Sequence, residues 1–290
     1  MQAISPQDFL SRRFEHVVFA GGGNRCWWQA GVIEQLSQHA CWQARRLIGV
    51  SAGAGIATAF ATGRMQDALA AALARFEVTP RNVEWRELLQ GRRPFMLPRI
   101  YPDWIDSYLG VDDWARLKTS KMQVEVVITK PIAFLPLSLS TALALLLYSS
   151  EKFWLKNFHA RLPHHLGFRS QYLSLADSTD LQEAKTWLLA SAAAVPITPT
   201  HRVHGRPALD GGFYDSLPLP TDQESHHTTL VLMTRHRADL PQIFSLQNRV
   251  YLQPAAPVVA TNMDCTSAVN VKLTYAQGLR EATQLLSAAD

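Results

Sequence analysis

The same local pattern occurs twice in the first sixty residues: a short apolar run, a turn that contains glycine, and a segment with helical spacing. In the first copy, the run 14–20 leads through three glycines into residues 25–40, whose apolar side chains share one broad face. In the second copy, the run 47–50 leads through another tight turn into the small, apolar segment 52–61. Such strand–helix–strand units join parallel strands through right-handed crossovers. The chain is therefore predicted to be an α/β protein with three layers, α/β/α, and a largely parallel central sheet.

The rest of the chain adds elements of the same two kinds. Helical spacing predicts helices at 67–76 and 267–287, and β-rich residues predict strands at 123–129 and 228–234. With 290 residues, 47% of them hydrophobic, the chain can bury a large core without disulfides or metals. No Gly/Ser-rich linker, internal repeat or block of like charges marks a boundary, so residues 1–290 are predicted to form a single domain.

Charge and cysteine content limit the expected partners and cofactors. Lys and Arg number 28 against 24 Asp and Glu, and the charge of +4 is too small to predict nucleic-acid binding, although it suits an anionic membrane surface. The three cysteines, Cys26, Cys41 and Cys265, lack the spacing of metal ligands and are odd in number, as expected for a reduced cytoplasmic protein. Residues 1–15 lack the apolar core of a secretory signal. The sequence thus predicts no metal, no cofactor and a cytoplasmic location, and it leaves the oligomeric state open.

A candidate nucleophile lies in the second turn, Gly49-Val50-Ser51-Ala52-Gly53. In this G-x-S-x-G pattern, the serine stands on a sharp turn between a strand and a helix, and the glycines avoid the collisions that a Cβ would cause. The following helix directs its amides and the positive end of its dipole toward the developing negative charge. A turn of small residues without a catalytic role would have a similar sequence, but the strand–turn–helix context favours Ser51 as a nucleophile.

The first turn, Gly21-Gly22-Gly23-Asn24-Arg25, is a candidate anion-binding loop. Consecutive glycines leave their backbone amides unshielded, and a parallel neighbouring strand would bring the loop beside Ser51, where an oxyanion hole is needed. Nucleotide binding is the weaker alternative. The G-x-G-x-x-G fingerprint fails at Cys26, and the G-x-x-x-x-G-K-[ST] pattern is absent.

A third feature, Asp210-Gly211-Gly212, places a carboxylate before two residues that have no side chains. Such a loop suits an acid that is presented into a crowded site, whereas an ordinary Asp-Gly turn would have the same sequence and no chemistry. The presence of all three features in one chain favours the first interpretation.

Together the three motifs resemble those of the patatin-like phospholipase family. Its members carry G-G-G-x-R-G, then G-x-S-x-G, then D-G-G or D-G-A, in the order found here. The stretches 190–196 and 210–218 resemble two further family segments, so that the similarity covers roughly 14–62 and 186–220. One departure is Cys26, where the family usually has glycine. This position is expected just inside the helix, where a cysteine is tolerated.

The resemblance implies a lipid acyl hydrolase, of phospholipase A or lysophospholipase type, that cleaves carboxylic esters through an acyl-enzyme and without a cofactor. Ser51 would be the nucleophile and Asp210 the base that takes its proton, with no histidine involved. A carboxylate can do this when it contacts the serine directly and is partly desolvated, because desolvation raises its proton affinity. The implied partners are phospholipid or another lipid ester and, peripherally, a membrane surface. The other implied site residues are Gly21, Gly22, Gly23 and Asn24 for the oxyanion hole, and Arg25, Gly49, Gly53, Gly211 and Gly212 as supports. Arg25 could brace the glycine loop or neutralise a lipid phosphate, and bracing is the favoured role.

Two other functions remain open on the sequence. The order Ser51, Asp210 and then His226, His227 or His236 fits a Ser-Asp-His esterase of the α/β-hydrolase type. However, only one strand is predicted before the strand that leads into Ser51, whereas α/β hydrolases have several, and a triad does not explain the D-G-G motif. A non-catalytic lipid-binding protein on a hydrolase fold is the second alternative, although such a protein needs neither the serine nor the aspartate.

Residues 131–165 are predicted to be an apolar and amphipathic insertion. Residues 131–150 carry no charge, but Pro131 and Pro136 limit the helix to 137–148, which is too short to span a membrane. The continuation 151–162 places apolar, aromatic and basic residues at helical spacing: Lys152, Trp154, Leu155, Lys156, Phe158, Arg161 and Leu162. This combination favours a lid or a membrane-docking element over a buried core helix. Residues 81–99, with five arginines and two glutamates, form either a contact for anionic headgroups or an ordinary solvated surface.

Overall fold

The computed structural model describes residues 1–150, 159, 162–220, 229–247 and 249–288. Its strands are β1 (Gln2–Ala3), β2 (Phe14–Phe19), β3 (Trp42–Val50), β4 (Gln123–Lys130), β5 (Arg169–Ser174), β6 (His201–Val203), β7 (Arg206–Asp210), β8 (Thr229–Leu232), β9 (Ile243–Leu246) and β10 (Arg249–Leu252). Its helices are α1 (Pro6–Leu10), α2 (Cys26–Leu36), α3 (Ala52–Ala61), α4 (Met65–Glu77), α5 (Leu97–Tyr108), α6 (Val111–Thr119), α7 (Leu137–Ser150), α8 (Leu162–His165), α9 (Leu181–Ser191) and α10 (Ala268–Ser287). Short 3₁₀ turns include Gly23–Arg25, Trp85–Gln90 and Gly211–Phe213.

The described strands form one mixed sheet whose centre is parallel. Strands β10, β8, β2, β3 and β4 lie side by side in that order, each parallel to its neighbour. Antiparallel strands extend the sheet at both edges, with β9 and β1 beyond β10, and with β5, β7 and β6 on the β4 side. The prediction of an α/β fold with a largely parallel central sheet flanked by helices is confirmed.

Separate apolar cores cover the two faces of the sheet. On one face, Phe19 and Leu47 belong to the main core, to which α2, α3, α4, α5, α9 and α10 contribute. On the other face, Val18, Ile48 and Val50 belong to a second core. Neighbouring residues of a strand belong to different cores because successive side chains point to opposite faces of the sheet. Because the central strands are buried on both faces, their apolar runs are continuous, which made them recognisable in the sequence.

The predicted boundaries are accurate where an apolar pattern is unbroken. Helix α3 occupies the predicted 52–61, and the ends of β2, β4, α4 and α10 lie within two residues of the predicted ones. Two boundaries were wrong: α2 ends at Leu36 rather than at residue 40, and β3 begins at Trp42 rather than at residue 47. Residues 42–46 alternate between half-buried and exposed positions and therefore form no apolar run. For this reason the first half of β3 was not predicted.

Helix α7 lies where the sequence predicted a short helix, and it packs on one side only. Its buried residues Ala144 and Leu147 form a third core with Leu209 and Phe213, which flank the D-G-G motif. The other side is exposed to solvent. In the part of the chain that the structure describes, no helix combines the length and the apolar character needed to cross a membrane. Of the predicted amphipathic continuation 151–162, only residues 159 and 162 lie within the described residues.

Candidate active site

The pairing of β4 with two neighbours brings Ser51 and Asp210 together. Residues 123–127 of β4 pair with β3, and the residues that follow pair with β7, while β5 pairs along β4 from residue 125 to residue 130. Val50 is paired with Val127, and Asp210 is paired with Ile128. The end of β7 therefore follows the end of β3 along the same edge of β4. Ser51, the residue after β3, meets Asp210 at that point.

Ser51 has a backbone conformation that few residues other than glycine adopt. Its φ of 55° and ψ of −133° turn the chain from β3 directly into α3. A Cβ at Gly49 would lie 2.4 Å from the Ala54 Cα, and a Cβ at Gly53 would lie 2.6 Å from the carbonyl oxygen of Ala20. The two glycines thus allow the close approach of strand, helix and glycine loop that a nucleophile elbow requires.

The side chains of Ser51 and Asp210 are in direct contact. The Ser51 hydroxyl donates a hydrogen bond to Asp210 Oδ2 at 2.8 Å, and the Gly212 amide donates to Oδ1 at 2.7 Å. Asp210 is only 9% exposed. Burial raises the pKa of Asp210 to about 6, and the two hydrogen bonds oppose this rise because they stabilise the carboxylate. Asp210 is therefore a stronger base than an exposed aspartate, yet it is ionised at neutral pH.

Gly211 and Gly212 form the turn that fixes this carboxylate. A Cβ at Gly211 would lie 2.3 Å from the carbonyl oxygen of Val127 and 2.4 Å from the Val50 Cγ2. A side chain at this position would therefore push the turn away from β3 and β4. Gly212 contributes its amide to the Asp210 carboxylate, as described above.

The glycine loop lies beside Ser51, and the amides of its two outer residues donate to protein carbonyls. A Cβ at Gly21 would lie 3.6 Å from the Ser51 Cβ. The Gly21 amide donates to the Ser216 carbonyl at 2.9 Å, and the Asn24 amide donates to the Asn262 carbonyl at 3.0 Å. These bonds hold both ends of the loop against neighbouring segments.

The two inner amides of the loop are available to a ligand. Within the described ranges, the N–H groups of Gly22 and Gly23 donate to no protein acceptor. Gly23 has a φ of 54°, and a Cβ there would lie 1.7 Å from the Asn262 carbonyl oxygen, so the position requires glycine. Of the four residues predicted for the oxyanion hole, Gly22 and Gly23 are the ones whose amides can still donate.

A comparison with known families agrees with this arrangement. A sequence model of the patatin-like phospholipase family matches residues 17–221. The chain belongs to the patatin-like phospholipase family. The match contains the glycine loop, Ser51 and Asp210, so the resemblance predicted from the motifs is confirmed.

Neither of two further comparisons adds to the family assignment. No curated protein matches the sequence of this patatin-like chain. Among solved structures, it is similar to the crystal structure of VipD from Legionella pneumophila, with 12% identity and a TM-score of 0.47 over 96% of this chain and 67% of the VipD chain.

In this patatin-like chain, Ser191 supports the turn that carries Ser51, a role that the sequence did not predict. Its fully buried hydroxyl accepts a hydrogen bond from the Ser51 amide at 2.8 Å and donates one to the Val127 carbonyl at 2.6 Å. The available signal was a serine among alanines in the stretch 190–196. A buried hydroxyl in such a stretch has to find hydrogen-bond partners elsewhere in the fold.

Cys26 and Arg25 follow the glycine loop. Cys26 is the first residue of α2, with a φ of −65°, which confirms the expected position just inside the helix. Burial raises the pKa of its thiol to about 12, so the thiol is protonated at neutral pH and is a poor nucleophile. Arg25 lines a cavity beside Ser51 and Asp210, and its Nη2 lies 3.5 Å from the Asn262 Oδ1.

A cavity of about 870 Å³ lies beside Ser51 and Asp210. One part of its lining is apolar and comes mainly from α2 to α5: Trp27, Ile56, Ala72, Phe76, Leu97, Ile100 and Trp104. Another part is polar and comes mainly from the loops after β2, β8 and β10: Arg25, Thr234, Arg235, His236, Arg237, Asp239 and Asn262. Such a cavity suits a molecule with an apolar chain and a polar end.

Of the three histidines that the triad alternative named, the structure describes one, His236. His226 and His227 lie outside the described residues. His236 lines the cavity, but its Nδ1 lies 2.9 Å from the Pro254 carbonyl oxygen, and His159 contacts Asp215 and Tyr251. Where side chains are described, no histidine is hydrogen-bonded to Ser51 or Asp210, and no group of three or more His, Cys, Asp or Glu residues could hold a metal ion.

Proposed function

We propose that this chain hydrolyses the carboxylic ester bonds of lipids, with Ser51 as the nucleophile and Asp210 as the general base. The observation that carries the proposal is the 2.8 Å hydrogen bond from the Ser51 hydroxyl to a buried carboxylate. A serine needs an adjacent base to become a nucleophile, and this carboxylate occupies that position without an intervening histidine. Membership of the patatin-like phospholipase family supports the same reaction class.

The first half-reaction forms an acyl-enzyme. The Ser51 oxygen attacks the ester carbonyl carbon while its proton passes to Asp210 Oδ2, and the carbonyl oxygen becomes an oxyanion. The amides of Gly22 and Gly23 donate hydrogen bonds to that oxyanion. When the tetrahedral intermediate collapses, the bond to the alcohol breaks, and the leaving alcohol takes the proton from Asp210.

The second half-reaction uses the same groups for water. Asp210, again ionised, takes a proton from a water molecule that attacks the acyl carbon bound to Ser51. The second intermediate collapses with the Ser51 oxygen as the leaving group, and Asp210 returns the proton to it. The products are a free fatty acid and the original enzyme.

The cavity supports a lipid ester as the substrate. Its apolar lining, which includes Phe76, Ile100 and Trp104, can remove an acyl chain from water beside the reacting serine. A phospholipase A or lysophospholipase activity is the proposed form of the reaction. The proposed catalytic unit is the whole chain as one domain, because α10, near its C-terminal end, packs along α2, which follows the glycine loop.

The outer side of α7 supports peripheral association with a lipid surface. Leu139 and Leu146 are exposed on this side, which carries no charged residue. On the same helix, Leu145 and Tyr148 line the cavity. We propose that α7 contacts the membrane, so that lipid leaves the bilayer close to the active site. The part of the predicted docking element at 151–158 lies outside the described residues.

A second exposed apolar group supports the same docking mode. The turn Trp85–Gln90 presents Trp85, Leu88 and Leu89 to solvent. The exposed arginines around it are Arg81, Arg86, Arg92 and Arg93. Arg92 and Arg99 form ion pairs with Glu87, while apolar and basic residues together fit an anionic lipid surface.

Hydrolysis and covalent labelling test the proposed function. The purified protein and S51A would be assayed on a short soluble ester, a phospholipid, a lysophospholipid and a triacylglycerol, and would be treated with a fluorophosphonate probe. We expect the wild type to hydrolyse at least one lipid and to be labelled, and S51A to do neither. Labelling that persists in S51A would assign the reaction to another nucleophile. Lipid binding without any hydrolysis by the wild type would favour the lipid-binding alternative.

A further inference from the structure

Two arginines from different segments line the polar part of the cavity. Arg25 ends the glycine turn before α2, and Arg235 lies on the loop after β8. Both residues line the cavity. Burial lowers the pKa of Arg25 below its usual value, and the positive charge of Arg235 lowers it further. Two positively charged side chains therefore line the same cavity.

Neither guanidinium has a carboxylate partner in the described part of the chain. The Arg25 Nη2 lies 3.5 Å from the Asn262 Oδ1, and the buried Arg25 Nε has no hydrogen-bond acceptor among the described residues. The Arg235 Nη2 lies 3.4 Å from the Tyr148 hydroxyl. Both distances are long for hydrogen bonds. Among the described residues, these two cations are therefore paired only with neutral oxygens, at long distances.

The acidic residues of the same cavity are engaged elsewhere. Asp239 forms an ion pair with Arg237 at 2.8 Å. Asp215 lies 2.8 Å from the His159 Nδ1, and Asp210 accepts the Ser51 hydroxyl. Arg237, two residues after Arg235, therefore has the carboxylate partner that Arg25 and Arg235 lack.

An anionic ligand would resolve this arrangement. Desolvated charges of one sign are costly unless an opposite charge with matching hydrogen-bond geometry pairs with them. The planar fork of arginine donors matches the oxygens of a phosphate group. The cavity already offers an apolar lining to an acyl chain and places Ser51 and Asp210 in the same space.

We infer that Arg25 and Arg235 bind the phosphate group of a lipid headgroup while the acyl chain of the same molecule occupies the apolar part of the cavity. The inference rests on the proposed function, because it assigns the part of the substrate that does not react. It makes Arg235 a specificity-determining residue for phosphate-containing lipid esters.

Binding of non-hydrolysable lipids tests this subsite independently of catalysis. R235Q removes the charge and keeps most of the side-chain length, and R237Q on the same loop is the matched control. The probes are an ether-linked lysophospholipid and an ether-linked alkylglycerol with the same chain. We expect R235Q to bind the lysophospholipid at least tenfold more weakly than the wild type and to bind the alkylglycerol within about twofold of it. R237Q should show no such selectivity. Equal weakening for both probes in R235Q, or no weakening for either, would overturn the inference.

Turnover separates this inference from the proposed function. On ester lipids, R235Q should lose at least tenfold in kcat/KM for a lysophospholipid and about twofold or less for a monoacylglycerol of the same chain. If the wild type hydrolyses neither lipid but R235Q selectively loses lysophospholipid binding, the proposed function fails while the subsite stands. If hydrolysis is normal and R235Q does not discriminate between the lipids, the subsite fails while the proposed function stands.

Inorganic phosphate distinguishes a headgroup site from a site for the free ion. For a headgroup site, phosphate should raise the KM for the lysophospholipid in the wild type and leave monoacylglycerol turnover unchanged. Tight binding of phosphate alone, lost in R235Q, together with unaltered lysophospholipid affinity in that variant, would assign the arginines to a free anion and overturn the inference.

Discussion

The Ser51–Asp210 corner and helix α7 contribute to the same cavity but are built in opposite ways. In the corner, the Ser51 amide and hydroxyl and both carboxylate oxygens of Asp210 have protein partners between 2.7 and 2.8 Å. On α7, the residues of one side pack against Phe213, whereas Leu139 and Leu146 on the other side are 53% and 62% exposed. The polar groups of the corner have hydrogen-bond partners within the protein, whereas α7 leaves apolar side chains exposed to water.

The difference fits what the proposed function requires of each region. Proton transfer and attack depend on distances fixed to a fraction of an ångström, so the corner is held by backbone crowding and buried hydrogen bonds. Contact with a lipid surface requires apolar area that is not already buried in the protein. Substitutions in the corner should therefore change chemistry or stability sharply, while substitutions on the outer side of α7 should change only the encounter with lipid.

The largest expected effect is the loss of hydrolysis when either member of the proposed dyad is replaced. S51A and D210N should each reduce kcat on a soluble ester by about 10³-fold or more, because each removes a group that acts in the transition state. The double variant should be no worse than the worse single variant, since the two residues act as one unit. Circular dichroism checks that the fold is retained. H236A is the control and should keep most of its activity, because its ring contacts the Pro254 carbonyl instead of the dyad. Additive losses in the double variant would separate the roles of Ser51 and Asp210.

Motifs made the corner predictable from the sequence to the level of residue identity. Gly49, Gly53 and Gly211 are required because any Cβ would collide with backbone or packed atoms within about 2.6 Å, so the pattern of glycines records the geometry directly. The contact between Ser51 and Asp210 was an expectation that came from the family resemblance alone. Its structural basis is the short β4–β7 pairing, which joins residues about eighty positions apart and has no local signature.

Single residues without a repeated pattern escaped prediction. Ser191 and Arg235 are isolated in the sequence, and their importance depends on which segments the fold places next to them. The first half of β3 was missed for a related reason, because its side chains alternate between half-buried and exposed positions and so form no apolar run. Helix α7 was predicted correctly in extent, whereas its one-sided packing could be read only from the tertiary contacts of Ala144 and Leu147.

The second prediction concerns the free energy of unfolding that the buried, ionised Asp210 costs the protein. The pKa of Asp210 in the folded protein, about 6, lies above its ordinary value of 3.8. The folded state therefore holds this proton more tightly than the unfolded chain, and the resulting stabilisation is fully present below about pH 4 and is lost as the pH rises through 6. Because one pKa unit corresponds to about 1.4 kcal/mol, ionised Asp210 costs on the order of 3 kcal/mol.

D210N should remove this cost, since the amide can still accept from Gly212 and can donate to Ser51. Its free energy of unfolding should exceed that of the wild type at pH 8 and should approach the wild-type value at pH 4. Urea denaturation at the two pH values measures the difference. A variant that is less stable than the wild type at pH 8 would mean that the ionised carboxylate stabilises the folded protein, contrary to the prediction.

The third prediction tests whether backbone crowding holds the corner. In G53A, the new Cβ would lie 2.6 Å from the Ala20 carbonyl oxygen, and neither element can move without disturbing the sheet. We expect unfolding free energy to fall by about 1–3 kcal/mol, which corresponds to several degrees in Tm, with a loss of activity. G110A is the matched control, because its Cβ would lie 3.3 Å from a side-chain oxygen of Asp113 at the start of α6 and not against backbone atoms. Equal effects of the two substitutions would argue against a special constraint at the nucleophile turn.

The fourth prediction is the pH dependence of hydrolysis. Asp210 must be ionised to accept the Ser51 proton, so kcat/KM on a soluble ester should rise with pH through about 6 and then level off. At pH 5, activity should be roughly a tenth of its value at the plateau. A profile that is flat from pH 5 to pH 8, in the range where the protein stays folded, would exclude Asp210 as the titrating base.

The last and smallest expected effect lies on α7, where the two sides of one helix provide their own control. The double variant L139S/L146S removes apolar surface that is exposed in the isolated protein, so its Tm and its turnover of a soluble ester should stay close to those of the wild type. If the outer side enters a lipid surface, the lost burial, at roughly 25 cal/mol per Å², should weaken binding to anionic vesicles by about fivefold and lower activity on them accordingly.

L147S changes the inner side, where Leu147 is buried near Phe213, and should instead lower the Tm by several degrees and depress both activities together. Vesicle flotation, thermal unfolding and soluble-ester turnover on these two variants measure all three quantities. If L139S/L146S binds vesicles as tightly as the wild type, α7 is not the docking element, and the exposed turn at Trp85–Gln90 becomes the place to test next, by the same design.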